Sequence, residues 1–418
     1  MSAEPDEIRW VPVGEVGEVR MGKQLSPASR DAVGQMPYLR VANVFEGRID
    51  YGDVNSMGFT ESERRVYALR PGDVLLNEGQ ESLTNVGRSA LYEGGPGAYC
   101  FQNTLIRFRP GVEVMPEYAQ AVFVNWRRMG HFARVAEKTS ISHLGGKRFA
   151  KMLFPLVSLR EQRRIVDILD SAQEVERAAE VAIGKLRAMR SGAMLRSMEP
   201  ITSREVPDGW ERLPLREVVP SVDYGISVAL NEDSRGIATL RMNNLLDGRP
   251  ELSDLRFCSQ NVNSGQLLRP GDVLFNRTNS IEHVGKSGIW NGELEVATFA
   301  SYIVRLNPNV ERLDPRYLVE WLQHPVIRQR VRSIATIAVQ QVNVNPTRLR
   351  ELIIDFPSDL REQGRIIASL EACNRRISAE HESLAKIRAM KQGISDALLN
   401  RGAGEVAQLT NTAGADLL

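Results

Sequence analysis

The sequence predicts an α+β chain in which two similar mixed β/α units are separated by two long antiparallel coiled-coil helices, giving a pseudo-two-fold axis. Three observations predict this. Ser158-Leu159-Arg160-Glu161-Gln162 recurs as Asp359-Leu360-Arg361-Glu362-Gln363, and Arg187-Ala188-Met189 recurs at the same offset as Arg388-Ala389-Met390. Upstream of each copy lies the same ordered set of short blocks, and downstream of each the apolar period becomes helical for some forty residues. The segments expected are a unit over 1–157, a helix over 158–198, a linker over 199–209, a second unit over 210–358, a helix over 359–401 and a disordered tail over 402–418.

Trp10 and Trp210 open the two copies beside Val11-Pro12 and Leu213-Pro214. Leu39-Arg40-Val41-Ala42-Asn43 then matches Leu240-Arg241-Met242-Asn243-Asn244, and Arg70-Pro71-Gly72-Asp73-Val74-Leu75 matches Arg269-Pro270-Gly271-Asp272-Val273-Leu274. Val86-Gly87-Arg88-Ser89 matches Val284-Gly285-Lys286-Ser287, and the offset drifts only between 198 and 201. Pro-Gly ahead of an apolar run makes a tight turn feeding a strand, because Pro fixes its φ and Gly accepts a positive one. Alternation over 103–108 and 301–306 adds strands, and Pro116 and Pro315 are pre-organised for the first helical position.

After Pro155 and Pro357, Ser158 with Glu161 and Asp359 with Glu362 read as capping boxes. Ile165, Ile168, Ala172, Val175, Ala179, Ala182, Leu186, Met189 and Ala193 form a coiled-coil seam in the first helix. Ile366, Leu370, Cys373, Ile377, Leu384, Ile387, Ile394 and Leu398 form a similar stripe in the second, interrupted by Glu380 and Lys391. Each rod would be about 60 Å long at the helical rise per residue. If the first carries the chain away from its unit, the second must run back.

With 418 residues and a net charge of +1, the chain is long enough for two or three cored domains, and its overall charge carries no nucleic-acid signal. The polar, acidic start and the lack of a long apolar run predict a cytoplasmic protein with no membrane partner. Cys100, Cys258 and Cys373 have no CxxC spacing and read as buried small apolar residues.

Catalytic signatures are missing. Gly285-Lys286-Ser287 resembles the end of a phosphate loop, but the glycine required five positions before Gly285 is Ser280. Asp314-Pro315-Arg316-Tyr317 is similar to an amino-methyltransferase tetrapeptide without its second proline, and a helix start explains it better. His131, His143, His283, His324 and His381 have no metal-ligand spacing, and His143 and His324 read as surface residues. The expectation is a non-enzyme with no cofactor or metal of its own.

Basic residues gather where each unit meets its rod. Residues 126–164 hold ten (Arg127, Arg128, Arg134, Lys138, Lys147, Arg148, Lys151, Arg160, Arg163, Arg164) against two acids, and 327–365 hold seven against four. Such a ridge suits phosphate contact. Base readout needs Arg, Lys, Asn, Gln and Ser on loops, where they match base-edge donors and acceptors. Candidates in the first copy are Asn43, Asn77, Gln80, Arg88, Lys138, Ser142 and Lys147, with Asn85 and Ser140 nearby. In the second copy they are Asn243, Asn276, Arg277, Lys286, Gln340 and Asn343, with Asn279, Gln341 and Asn345 nearby. The framework agrees between copies while these loops differ, so the two units should read different sequences of double-stranded DNA.

The paired Leu-Arg-Glu-Gln helix openings, each after a Pro-ended strand (Phe154-Pro155, Phe356-Pro357), and the duplicated Arg-Pro-Gly-Asp-Val-Leu blocks resemble the specificity subunits of type I restriction-modification enzymes over nearly all of the chain. The resemblance implies two target-recognition domains, each reading half of a bipartite, asymmetric DNA site, with the helices as a ruler for the spacer. It implies two methyltransferase subunits using S-adenosylmethionine to methylate adenine, and restriction/translocase subunits using ATP and Mg that can join. None of that chemistry falls on this chain. Departures from the pattern are Gly364 beside the second opening and Glu380 and Lys391 in its seam, for which pairing with partner-subunit helices is one explanation. Two rivals are a stand-alone methyltransferase, which would need motifs the chain lacks, and a non-catalytic coiled-coil scaffold without sequence-specific DNA binding.

Overall fold

The computed structural model describes residues 8–30, 32–80, 85–136, 142–337 and 341–399, with only the backbone of Gln80 and Ser142. The tail expected over 402–418 lies outside the described residues. The chain divides into two compact units, residues 1–179 with 383–418, and residues 180–382. Each unit thus takes part of each long helix, Leu159–Ser197 and Leu360–Leu399.

The first unit is built on a four-stranded antiparallel sheet in the order Gly17–Met21, Leu105–Pro110, Val74–Asn77, Ser89–Leu91. Beside it, Gln35–Leu39 pairs parallel with Cys100–Phe101 and antiparallel with Asn55–Gly58. The second unit repeats both sheets. Ser221–Tyr224, Ile303–Asn307, Val273–Asn276 and Ser287–Ile289 form the first, and Ile237–Leu240 between Ala297–Phe299 (parallel) and Arg256–Cys258 (antiparallel) forms the second. A two-stranded ribbon closes each unit onto its rod, Arg9–Pro12 with Leu153–Leu156 and Trp210–Pro214 with Ile353–Pro357. The duplication read in the sequence is therefore a duplication of strand pairing.

Each repeated block has a structural cause. In the Arg-Pro-Gly-Asp turns, Asp73 Oδ2 accepts from Arg70 N at 2.8 Å, and Asp272 Oδ2 accepts from Arg269 N at 2.9 Å. Asp73 also takes both arms of Arg109, whereas Asp272 takes Arg305, which binds Asp223 as well. The strands that follow, Val74–Asn77 and Val273–Asn276, are buried at every position. Burying such side chains is worth about 1.5–3 kcal/mol each. Gly87 and Gly285 sit at φ of +75° and +78°, and their N–H groups donate to the carbonyls of Asn77 and Asn276. Gly285-Lys286-Ser287 is thus a strand turn, not a phosphate loop: Ser287 is buried in a strand. A Cβ on Gly87 would stand 2.1 Å from the Phe132 ring, which leaves glycine alone at this turn.

The helices Pro116–Arg128 and Pro315–Gln323 both start on proline. Their tyrosines explain the tetrapeptide resemblance: Tyr118 and Tyr317 are buried and donate to the carbonyls of Pro155 (2.7 Å) and Asp355 (3.0 Å). Asp314 caps its helix by accepting from Arg316 N.

The Leu-Arg-Glu-Gln motif works through its glutamine. Gln162 is fully buried; its Oε1 accepts from Met115 N at 2.8 Å, and its Nε2 donates to Glu113 O and Val157 O. Gln363 repeats all three bonds with Asp314 N, Arg312 O and Pro357 O. Each glutamine clamps the start of its rod to the loop before the helix of its unit. The caps differ in detail, Ser158 Oγ accepting from Glu161 N and Asp359 Oδ1 from Arg361 N.

Within each unit the rods run antiparallel. In the first, Glu176 binds Arg388 and Lys391, and Lys391 also reaches Gln173. In the second, Arg187 meets His381 at 3.1 Å, and Arg190 donates from Nε to Asn374 Oδ1 and from Nη2 to both oxygens of the Glu320 carboxylate. The seam of the first helix departs from the expected stripe: Val175 and Met189 are more than half exposed, while Glu176 and Arg190 face inward. Polar contacts to the opposite helix outweigh the burial of two apolar side chains there. Lys391 is likewise satisfied by this chain's own helix, which removes the need for a partner to explain it.

Other expectations are corrected. His324 is fully buried rather than on the surface, and burial lowers its pKa. Cys100 and Cys258 are buried but Cys373 is only half-buried, and burial pushes the Cys100 thiol up to about 11. The segment expected as a polar linker begins with a turn, Glu199–Ile201, whose Pro200 and Ile201 are buried, and Arg212 donates to the carbonyls of Pro200, Ser203 and Arg204. Among the described residues no helix is long and apolar enough to cross a membrane.

Candidate nucleic-acid interface

In both units a second pair of short strands carries the main sheet's loop outward. Gly79–Gln80 pairs with Ser142–His143, and Thr278–Asn279 pairs with Val342–Asn343. These pairings join segments some sixty residues apart, and they gather much of what the sequence singled out. In the first unit they set Gln80 opposite Ser142, with Lys147 exposed on the following short helix, Gly146–Lys151. In the second, Arg277 donates to Asn343 Oδ1 at 3.2 Å and to Ser301 O at 3.3 Å, and its guanidinium lies 5.4 Å over the Tyr224 ring. Asn243 is exposed nearby, in a hollow shared with Met242, Ser301 and Tyr302.

The remaining candidates divide. Asn43 is buried; its Oδ1 accepts from Arg40 N and its Nδ2 donates to Asp50 O and Asp53 O, so it shapes a turn and has no donor left for a base. Asn244 does the same in the second unit, with Arg241, Glu251 and Asp254. Asn77 and Asn276 are fully buried at strand ends, and Asn276 Nδ2 donates to Met242 O. Arg88 is half-buried and donates to Asn85 Oδ1 at 2.7 Å, and Lys286 is half-buried in a hollow with Asp247, Gln323 and Arg328. Lys138 and Gln340 lie outside the described residues.

The basic ridge is thinner than the sequence suggests. Arg127 pairs with Glu46, Arg128 with Asp396 and Arg164 with Glu161, while Arg148 donates to the carbonyls of His143 and Leu144. Lys147, Lys151, Arg160 and Arg163 remain exposed without an ion pair among the described residues. In the second unit Arg330, Arg332 and Arg350 donate to backbone carbonyls and Arg365 pairs with Glu362, leaving Arg348 and Arg361 exposed.

Sequence reasoning passed over one pair at this edge. His143 Nδ1 lies 2.8 Å from Glu78 Oε2, and a carboxylate only accepts, so Nδ1 carries the proton. Glu78 stands in the repeat where Arg277 stands, and aligning those two blocks position by position would have found it.

Residues 5–179 match the type I restriction modification DNA specificity domain. The first unit and the start of the first long helix are thus similar to the DNA specificity domain of type I restriction-modification enzymes. The chain is 28% identical over 204 residues to a putative type I restriction enzyme MjaX specificity subunit of Methanocaldococcus jannaschii, a match covering 48% of this chain and 48% of that one. The chain thus spans about half the length of that relative. It is 21% identical to the EcoKI specificity subunit of Escherichia coli over 80% of this chain and 75% of the other. Its fold matches a chain of a type I R-M system (19% identity, TM-score 0.65, covering 96% and 99% of the two chains). It also matches the type I S subunit of M. genitalium (12% identity, TM-score 0.52, 96% and 98%). These likenesses are of fold, over nearly the whole length of each chain.

Proposed function

We propose that this chain is the non-catalytic DNA-reading subunit of a type I restriction-modification complex in the cytoplasm. Each unit reads one half of a bipartite, asymmetric site in duplex DNA. The observation that supports this best is the contrast inside the duplication: backbone framework and clamps repeat bond for bond, while the side chains on the outlying strand pairs differ. A repeated frame with an unrepeated edge suits two readers of different sequences. Exposed Lys147, Lys151, Arg160 and Arg163 in one unit, and Arg348 and Arg361 in the other, supply phosphate contacts that position the duplex.

Two methyltransferase subunits carry S-adenosylmethionine and flip the target adenine out of the stack, and restriction subunits carry ATP and Mg. This chain delivers them to the site. The test is selection from a random duplex library by this chain with its methyltransferase partner. A split motif with a fixed gap is expected. No sequence preference would favour a coiled-coil scaffold instead.

A further inference from the structure

Glu78 and Arg277 occupy the same backbone address in the two units. Glu78 N donates to Thr104 O and its carbonyl accepts from Leu144 N at 2.8 Å; Arg277 N donates to Tyr302 O and its carbonyl accepts from Val344 N at 2.8 Å. The residues that hold them match as well, since His143 lies opposite Gly79 and Asn343 lies opposite Thr278. On this shared address the side chains have opposite charge and opposite hydrogen-bonding sense. The framework arginine of the central strand keeps its sign across the repeat: Arg107 and Arg305 hold the same ladder position, lie over Phe101 and Phe299, and pair with Glu18 and with Asp223 and Asp272. The backbone bonds of this address do not depend on the sign of its side chain, so holding the fold does not by itself account for the change.

Both groups are held and both have capacity to spare. Arg277 is braced by Asn343, Ser301 O and the Tyr224 face, using one hydrogen of each terminal nitrogen and leaving another on each. Glu78 gives Oε2 to His143, and its Oε1 has no protein partner among the described residues. A carboxylate at a DNA surface is repelled by phosphate, so it belongs there only if it accepts from a base amino group.

Resting on the DNA-reading function above, we infer that this address reads one base in each half-site, in opposite senses. Arg277, positioned by Asn343 and Tyr224, donates to guanine O6 and N7; Glu78, positioned by His143, accepts from the N4 amino group of cytosine.

The test is the same random-duplex selection, with the methyltransferase partner, on wild type, Arg277→Gln and Glu78→Gln. The expected result is a guanine position in one half-site that flattens in Arg277→Gln and a cytosine position in the other that flattens in Glu78→Gln. Each preference should fall roughly 5- to 150-fold, with all other positions unchanged. The intact half-site shows that the variant is folded. Asn343→Ala, which keeps the guanidinium but frees it, should weaken the guanine position alone. A wild-type split motif that neither Gln variant alters would overturn the inference and leave the function standing, as would an even loss at every position. No motif from wild type would defeat the function, and the inference with it.

Discussion

Replacing Gln162 by Met keeps the length of the side chain and deletes all its polarity. Three bonds disappear, to Met115 N, Glu113 O and Val157 O, at a site with no solvent access. At about 1 kcal/mol net per bond, and up to about 3 for the orphaned Met115 N–H, the loss comes to about 3–5 kcal/mol. With a urea slope of about 2.5 kcal/mol/M for a unit of this size, the midpoint should fall by about 1–2 M. Gln363→Met removes the equivalent three bonds in the second unit and should cost the same. Hydrogen exchange in urea, read on the central strands Leu105–Pro110 and Ile303–Asn307, reports the two units separately. Each substitution should destabilise its own unit first. A shift below about 0.3 M in the substituted unit, against the 1 M or more expected, would refute the clamp reading.

Other outcomes follow from single contacts. Lys147→Ala with Lys151→Ala removes two exposed cations, so the slope of log affinity against log salt should drop by about 1.8 with the preferred sequence unchanged; filter binding across a salt series measures it, and an unchanged slope counts against phosphate contact. The hydrogen bond from Arg388, with Lys391 beside it, holds the Glu176 carboxyl below the usual range. Its contribution is therefore present above the ordinary carboxylate value and lost as pH falls through the lowered one. The gap in Tm between wild type and Glu176→Gln should narrow from pH 7 to about pH 3.5, and a pH-independent gap would contradict it. Gly87→Ala forces a left-handed φ and a clash with Phe132, for a loss of about 2–4 kcal/mol in the first unit's unfolding free energy.

Much of the frame was legible because its repeated blocks carry local backbone requirements. Gly87 needs a positive φ, Asp73 closes a turn, Pro116 starts a helix, and each requirement shows in three or four adjacent residues. The seam of the first helix was less legible. Apolar spacing picked Val175 and Met189, but Glu176 and Arg190 gain partners on the opposite helix that no local pattern records. Burial of Asn43 and His324 was hidden for the same reason, since a polar residue reads as exposed until its partners or its packing are known. The basic ridge was overcounted because acids far off in sequence, such as Glu46 and Asp396, neutralise part of it.

The reading edge was the hardest part to see, and its physics says why. Gly79–Gln80 and Ser142–His143 are too short to show a strand period, and only the main sheet's geometry brings them together. Residues that hold a fold must satisfy the same backbone twice, so a duplication preserves them; residues that meet a base need only satisfy that base, so the copies are free to diverge. Resemblance between copies therefore marks structure, and the informative positions for recognition are those with identical backbone partners and unlike side chains. Glu78 and Arg277 meet that criterion with four matched backbone hydrogen bonds between them and opposite charges. Asn43 fails it, because Asn244 repeats its bonds one for one. Substituting Asn43 should accordingly cost stability and leave the selected sequence as it was.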